Sequence, residues 1–306
     1  MDEATTVDQA HRQTILQLFR TMDDRHRQQL EIVEAPVETD QTGWWKRTGW
    51  IEHLQASNKR HLAHAARLPS KDEPVLKQIG ILVETLVERC VGGLATLPQE
   101  LRRWLRSVKM SETDQRPMGR LQNKDSQTRY ATYVKRLVCY SLRVLQSVDE
   151  LGPSGLEGED DWVDVEAMDT AEGGQAGGQA EADSADTMAD ARRLFKWNVG
   201  QKEKGRAVLQ SMDGADGEES QLKTLLTFIE TFVLSKVYHE PFDCATVHFL
   251  AVLGIDEEND RLRTGNDYSY RVAGLVYCFR VLALEVLLPA DQRAAQGPDD
   301  FKAFLE

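Results

Sequence analysis

The chain has 306 residues, of which 41 % are hydrophobic, and its formal net charge is −13 at pH 7. This length and apolar content are typical of a globular protein with one or two modest domains. No apolar run follows Met1, and the apolar stretch 272–288 is shorter than the roughly 20 residues that cross a bilayer. We therefore predict a soluble intracellular protein with no membrane partner.

The negative charge is concentrated in one segment. Residues 144–191 contain fourteen Asp and Glu and no Lys or Arg, so the rest of the chain carries a charge of +1. Residues 101–143 have the opposite bias, with eleven Lys and Arg against three Asp and Glu. The overall charge therefore does not exclude nucleic acid as a partner.

Apolar residues recur three and four positions apart along most of the chain, and alternating strand-like runs are rare, which predicts an all-α fold. We predict two helical subdomains joined by a disordered acidic linker, because the segment between them is too poor in apolar residues to offset its ordering entropy. The predicted order is an N-terminal helical arm (1–41), a basic helical subdomain (42–146), the linker (147–191), an apolar helical subdomain (192–290) and a C-terminal tail (291–306).

Three tryptophans fall within seven residues, at Trp44, Trp45 and Trp50, with Lys46 and Arg47 between them. One interpretation is an anchor that ties a loop onto helices, because indole buries a large apolar area. The other is an aromatic and basic platform on which nucleic-acid bases stack while Lys46 and Arg47 contact phosphates. The spacing alone leaves both open.

Residues 72–97 predict a helix with one apolar side. We assign six residues to that side: Val75, Ile79, Ile81, Leu82, Leu86 and Val91.

The next region predicts basic helices. Four cations share one side of the helix that follows Pro98: Arg102, Arg103, Arg106 and Lys109. Its other side is apolar: Leu101, Trp104, Leu105 and Val108. A second helix, capped by Ser126 or Thr128, extends to Leu145 and carries Lys135, Arg136 and Arg143 on or near its outer side. These cations are either a solvated face whose stems cover apolar surface or a phosphate-contacting surface with salt-dependent binding.

Residues 221–289 predict three consecutive and strongly apolar helices that form a core. Pro241 breaks the first helix, because the residue before a proline leaves the helical region. Asp243 is predicted to cap the second helix and Asp267 the third, which Pro289 ends.

Side chains capable of chemistry are scattered. The four cysteines lie far apart within helical patterns, which predicts buried free thiols in a reducing compartment: Cys90, Cys139, Cys244 and Cys278. His239, Cys244 and His248 lie close together, but a zinc site needs a fourth ligand, so we predict a structural role and no metal or other cofactor. Gly-rich phosphate loops, GxSxG and HExxH are lacking, so we predict a protein that is not an enzyme.

Three stretches together resemble a known family: Trp44–Leu54, Thr128–Leu145, and Leu225–Leu288 with its Ala251–Gly254 turn. They are similar to the helical region of large fungal proteins that carry degenerate C2H2-like fingers and telomere-linked, RecQ-like helicase modules. Some members are named after an orsellinic-acid cluster protein. The stretch from Ser126 to Leu145 also resembles, more faintly, the DNA-clamping helical domain of tyrosine recombinases. These resemblances imply an association with helicases or mobile elements.

The leading hypothesis is a non-catalytic, nuclear helical module that binds DNA. It contacts DNA through the basic residues of the tryptophan stretch and of the two basic helices, Lys46, Arg47, Arg102, Arg103, Arg106, Lys109, Lys135 and Arg136. The alternative is a protein-interaction scaffold whose acidic linker engages a basic protein partner or masks the basic helix. A decayed or truncated family copy without independent activity is the remaining possibility, because the fingers and the helicase module have no counterpart in this sequence.

Overall fold

The computed structural model describes residues 48–54, 57–107, 114–121, 123–151, 187–214, 217–235, 237, 240–256 and 261–287. Within these ranges the chain is all-α apart from one short hairpin, as predicted. The helices in chain order are α1 Trp50–Leu54, α2 Lys59–Ala65, α3 Pro74–Gly93, α4 Gln99–Arg106, α5 Lys124–Leu151, α6 Ala189–Leu194, α7 Val199–Asp213, α8 Glu218–Val233, α9 Ala245–Leu253 and α10 Gly265–Leu287. Single 3₁₀ turns occupy Leu94–Thr96 and Pro241–Asp243. The strands β1 Ile255–Asp256 and β2 Arg261–Leu262 pair antiparallel.

Local chemistry sets several helix starts. The Asn58 side chain accepts hydrogen bonds from two first-turn amides of α2, at 3.0 and 3.2 Å. Asn198 and Gln201 cap α7 reciprocally, each side chain bonding the other's backbone N–H. Pro74 stands at the first position of α3, where a missing N–H costs no helical bond. These caps satisfy amides that the helices cannot pair internally.

The centre of the fold is α5. Every residue from 136 to 145 is buried. This includes the polar residues Arg136, Ser141 and Arg143. α5 packs against α2, α3, α6, α7 and α10, so neighbours surround it. Tyr140, one of the largest fully buried side chains, lies midway along it. A helix surrounded in this way needs a partner for every polar group that it carries.

One hydrophobic core joins helices from both predicted subdomains. α3 and α5, from the first range, pack against α8 and α10, from the second. Close helix approach depends on Gly274 of α10, where an added Cβ would lie 2.7 Å from the Tyr133 ring of α5. The acidic segment therefore separates the two predicted subdomains along the chain, but their helices share one continuous core.

Several predicted boundaries were wrong. Residues 147–151 continue α5, and residues 189–191 belong to α6, so both ends assigned to the linker are helical. α5 begins at Lys124, ahead of either predicted cap. Asp243 lies in the 3₁₀ turn, and Cys244 takes the cap position of α9. Residues 1–41, 152–186 and 291–306 lie outside the described residues.

The cap predicted at Asp267 was also misplaced, because α10 begins two residues earlier, at Gly265. The Thr264 hydroxyl instead accepts from the Asp267 N–H at 3.3 Å and donates to its carboxylate at 2.9 Å. Ile81 is 61 % exposed, although it was assigned to the apolar side of α3. It follows the buried Ile79 by two residues, and that spacing places it on the opposite side of a helix.

The prediction of buried free thiols is confirmed for all four cysteines. Among the described helices, none combines the length and the hydropathy of a membrane span.

Candidate nucleic-acid interface

Three of the eight predicted contact residues, Lys46, Arg47 and Lys109, lie outside the described residues, together with Trp44 and Trp45. Trp50 is described and is buried, with its ring edge-to-face against Tyr268 at 5.1 Å. At this position the indole is an anchor for α1, which is the first of the two interpretations of the tryptophan stretch.

The structure removes Arg136 from the predicted interface. Arg136 is only 8 % exposed, and its Nε donates to the Ala66 carbonyl at 2.7 Å. Lys135 has a side chain that is 15 % exposed and forms an ion pair with Glu84 of α3. The prediction that these two and Arg143 lie on or near the outer side was therefore wrong, because α5 has helices on all sides and its cations, including Arg143 at 7 % exposure, find partners inside the protein.

Arg143 explains why α5 carries cations inward. Its Nε and Nη2 donate to the two carboxylate oxygens of Glu73 at 2.6 and 3.1 Å. Its Nη1 donates to the carbonyls of Ala65 and Arg67 at 2.6 and 2.8 Å. The bond from Arg143 lowers the pKa of Glu73 to about 2, and bonding from the Ser70 N–H adds to that. Arg136 and Arg143 together cap the carboxyl end of α2 and hold residues 65–73 against α5.

The basic helix α4 has the amphipathic form that was predicted. Leu101 and Leu105 are buried, whereas Arg106 is exposed and pairs with Asp114 at 3.3 Å. Arg102 and Arg103 are half-buried, and their Nε atoms have no hydrogen-bond partner within the described part of the chain. Their stems therefore cover apolar surface, as long cationic side chains commonly do.

Segment 114–121 and α10 bring further arginines to α4. The Met118 N–H donates to the Arg102 carbonyl at 2.7 Å, which lays the segment along α4. Arg280 of α10 donates from Nη1 to the Arg106 carbonyl at 3.0 Å. We call this surface the cationic face, and its members are Arg102, Arg103, Arg106, Arg116, Arg120 and Arg280.

The electrostatics of the cationic face are those of crowded like charges. Burial and the nearby Arg106 guanidinium both lower the pKa of Arg280, and Asp114 opposes the shift. Arg116 and Arg120 are exposed on the same segment that pairs with α4. Like charges held together in this way favour binding of an anion, because the anion relieves their repulsion.

The sequence did not identify Arg280 as a contact residue, because it stands in a predominantly apolar helix. Its signal was present: an arginine inside an otherwise apolar helix requires a partner for its charge. That partner group, the carbonyl end of α4, lies 174 residues away in sequence. Only the packing of α10 against α4 identifies it.

A second polar group is buried away from this face. His53 Nε2 and His248 Nδ1 lie 2.8 Å apart in a hydrogen bond, and the Tyr140 hydroxyl lies 2.8 Å from His248 Nε2. The network joins α1, α5 and α9. Phe242 stacks on the His53 ring, with centroids 4.0 Å apart and planes within 3°. Both ring nitrogens of His248 are thus engaged in hydrogen bonds.

Burial lowers the pKa of His248 to about 3 and that of His53 to about 4. Two charged imidazoles this close would also repel each other, and each neutral ring can serve as donor to one neighbour and acceptor from the other. Burial raises the pKa of the Tyr140 hydroxyl as well. Since His248 and Tyr140 are fully buried, the network offers no place for a substrate and acts as a structural tie.

His239, the third member of the set considered for metal binding, lies outside the described residues. Within the described ranges, no group of three or more His, Cys, Asp or Glu side chains is arranged to hold a metal ion. The cationic face, in contrast, carries exposed side chains at Arg106, Arg116 and Arg120.

No family model, curated protein or solved structure matches the chain.

Proposed function

We propose that this protein is a non-catalytic helical module that binds DNA through the cationic face, with the nucleus as its compartment. One observation carries the proposal: α4, segment 114–121 and α10 bring six arginines to one side of the body. Guanidinium groups form strong, often bidentate, hydrogen bonds with phosphate oxygens. The resemblance to helical regions of fungal helicase-associated proteins fits this role and is part of the proposal.

The proposed binding mode has a measurable electrostatic signature. Each phosphate neutralised by an arginine releases condensed counterions, so the logarithm of the affinity falls linearly with the logarithm of the salt concentration. Four contacts would give a slope of about −3 to −4. Contacts of this kind read the backbone and not the base sequence, so we expect little sequence preference.

The experiment is an anisotropy titration of labelled DNA at two salt concentrations. The test variant carries Arg106→Glu and Arg120→Glu, and the control carries Lys77→Glu and Lys223→Glu, which make the same charge change on exposed sites of α3 and α8. We expect the test variant to lose binding and to flatten the salt slope, and the control to keep both. An equal loss in the two variants would refute the proposed face, because overall charge would then explain the binding.

The alternative is a scaffold in which the acidic segment engages a basic protein partner. The observation in its favour is the segregation of charge, with fourteen acidic residues and no cation in residues 144–191. A scaffold of this kind binds no DNA, whether or not the acidic segment is present. The titration above therefore separates the two functions.

A further inference from the structure

We propose that the DNA bound by this module is single-stranded, with bases stacked on Tyr270 and Tyr277 beside the cationic face. The inference rests on the proposed function and specifies its ligand. Aromatic rings beside arginines are the arrangement with which proteins hold single strands, because rings receive the bases and guanidinium groups receive the phosphates.

The two tyrosines lie along one side of α10. They are seven residues apart, which is two helical turns and about 10 Å of rise. Tyr270 is 67 % exposed, the highest value among the large exposed hydrophobic side chains of the described structure. Arg280 follows Tyr277 by three residues and therefore stays on the same side. Ala273, small and exposed, lies between the rings and leaves the surface open.

The ring of Tyr277 is held in place by its neighbours. Its hydroxyl donates to the Gly119 carbonyl at 3.1 Å, and Arg120 is close enough to influence the hydroxyl's pKa, which burial raises to about 12. The Tyr130 ring of α5 lies 5.8 Å from it between centroids, tilted by 58°. A ring fixed before binding loses little rotational freedom when a base stacks on it.

Gly274 makes this aromatic row possible. A Cβ at that position would meet the Tyr130 ring at 2.8 Å, so glycine is what allows Tyr130 to lie over α10. The rings of Tyr277, Tyr130 and Tyr270 therefore follow one another along α10, leading away from Arg280 and the end of α4. A DNA single strand that follows these rings meets arginines at one end and the exposed Tyr270 ring at the other.

This geometry favours single strands over duplexes. In a duplex the bases stack on one another and expose only their edges, so Tyr270 has no base face to receive. In a single strand the faces are free, so a base can stack on an exposed aromatic ring. The phosphate contacts of the cationic face serve both forms.

The test compares a labelled oligothymidylate with a duplex of equal length, at one salt concentration, on the full chain. Tyr270→Ala should weaken binding of the single strand about tenfold, which corresponds to 1.4 kcal/mol for one stacked base. Tyr270→Phe should keep the affinity within about twofold, because the ring is retained. Ile81→Ala is the matched control, since Ile81 is an exposed apolar residue on α3. Circular dichroism confirms that each variant is folded.

The possible results separate this inference from the proposed function. A loss for Tyr270→Ala that is confined to the single strand supports the inference. Unchanged single-strand affinity, or an equal loss on both DNA forms, would overturn it and leave phosphate binding in place. Binding of the duplex alone would overturn it in the same way. No binding of either form would overturn the proposed function and this inference together.

Discussion

Acidification from pH 7 to pH 5 should destabilise this protein mainly through His248. Its folded-state pKa is about 3, because burial disfavours the charged ring, whereas an unfolded histidine titrates near 6.5. Below pH 6.5 the unfolded state therefore binds a proton that the folded state does not bind. The contribution of His248 to the free energy of unfolding is fully present above that pH and decreases below it. At pH 5 the loss is about 1.5 units times 1.36 kcal/mol, or about 2 kcal/mol.

Urea unfolding at pH 7 and pH 5 measures this loss directly. His53 should add a smaller amount, because it is half-buried and water screens its charge. Glu73 should contribute little in this window, because its stabilising effect is complete above the ordinary carboxyl pKa of 4.5 and is lost only as the pH falls from there toward its folded-state pKa of about 2. His248→Gln is the test variant, and His64→Gln, on an exposed site of α2, is the control.

We expect wild type and His64→Gln to lose stability in parallel between the two pH values. His248→Gln should be less stable at pH 7, because it disturbs the bonds to His53 and Tyr140, but its further loss on acidification should be much smaller. An equal loss in all three proteins would refute the argument. The buried ring would then accept a proton in the folded state at little cost.

Three further outcomes are expected. Gly274→Ala should destabilise the fold by about 1–3 kcal/mol in urea unfolding, because the new Cβ would meet the Tyr133 ring at 2.7 Å. Arg143→Met should cost about 1–3 kcal/mol in the same measurement, because the Ala65 and Arg67 carbonyls lose their donor and the Glu73 carboxylate keeps only Arg67 and the Ser70 N–H. Deletion of residues 152–186 should tighten DNA binding in the anisotropy assay, because it removes negative charge that competes for the cationic face.

Matched variants make these outcomes decisive. Gly92→Ala adds a Cβ where nothing lies within 4 Å, so it should be neutral or slightly stabilising, in contrast to Gly274→Ala. Combining Arg143→Met with Glu73→Gln should cost less than the sum of the single changes, because the two side chains share one network. Additive costs would contradict the assigned pair. Unchanged DNA affinity after the deletion would contradict masking by the acidic segment.

The helical class could be predicted because apolar spacing reports it directly. Leu101 and Leu105 of α4, and Leu225 and Ile229 of α8, are buried as their spacing indicates. Ile81 shows where apolar identity misleads, because its position on the helix and not its side chain decides its exposure. Periodicity therefore identified elements and their buried sides, one helix at a time.

The candidate site could be predicted only in part, because its contacts are long-range. The bond between His53 and His248 joins residues 195 apart, and the bond from Arg136 to Ala66 joins residues 70 apart. No local pattern encodes such a partner. The notable surplus of cations in residues 101–143 was visible in the sequence, but which of them face solvent depends on the helices packed around each.

α4 and α5 show how packing divides one basic region into two roles. α4 has a single apolar side, made by Leu101 and Leu105, so its remaining circumference carries cations toward solvent. α5 is buried on all sides over residues 136–145, so a cation there must be neutralised within the protein. Arg143 meets that requirement with Glu73 and two carbonyls, and its role is structural. The number of neighbouring helices, and not the density of arginines, therefore determines which cations face solvent.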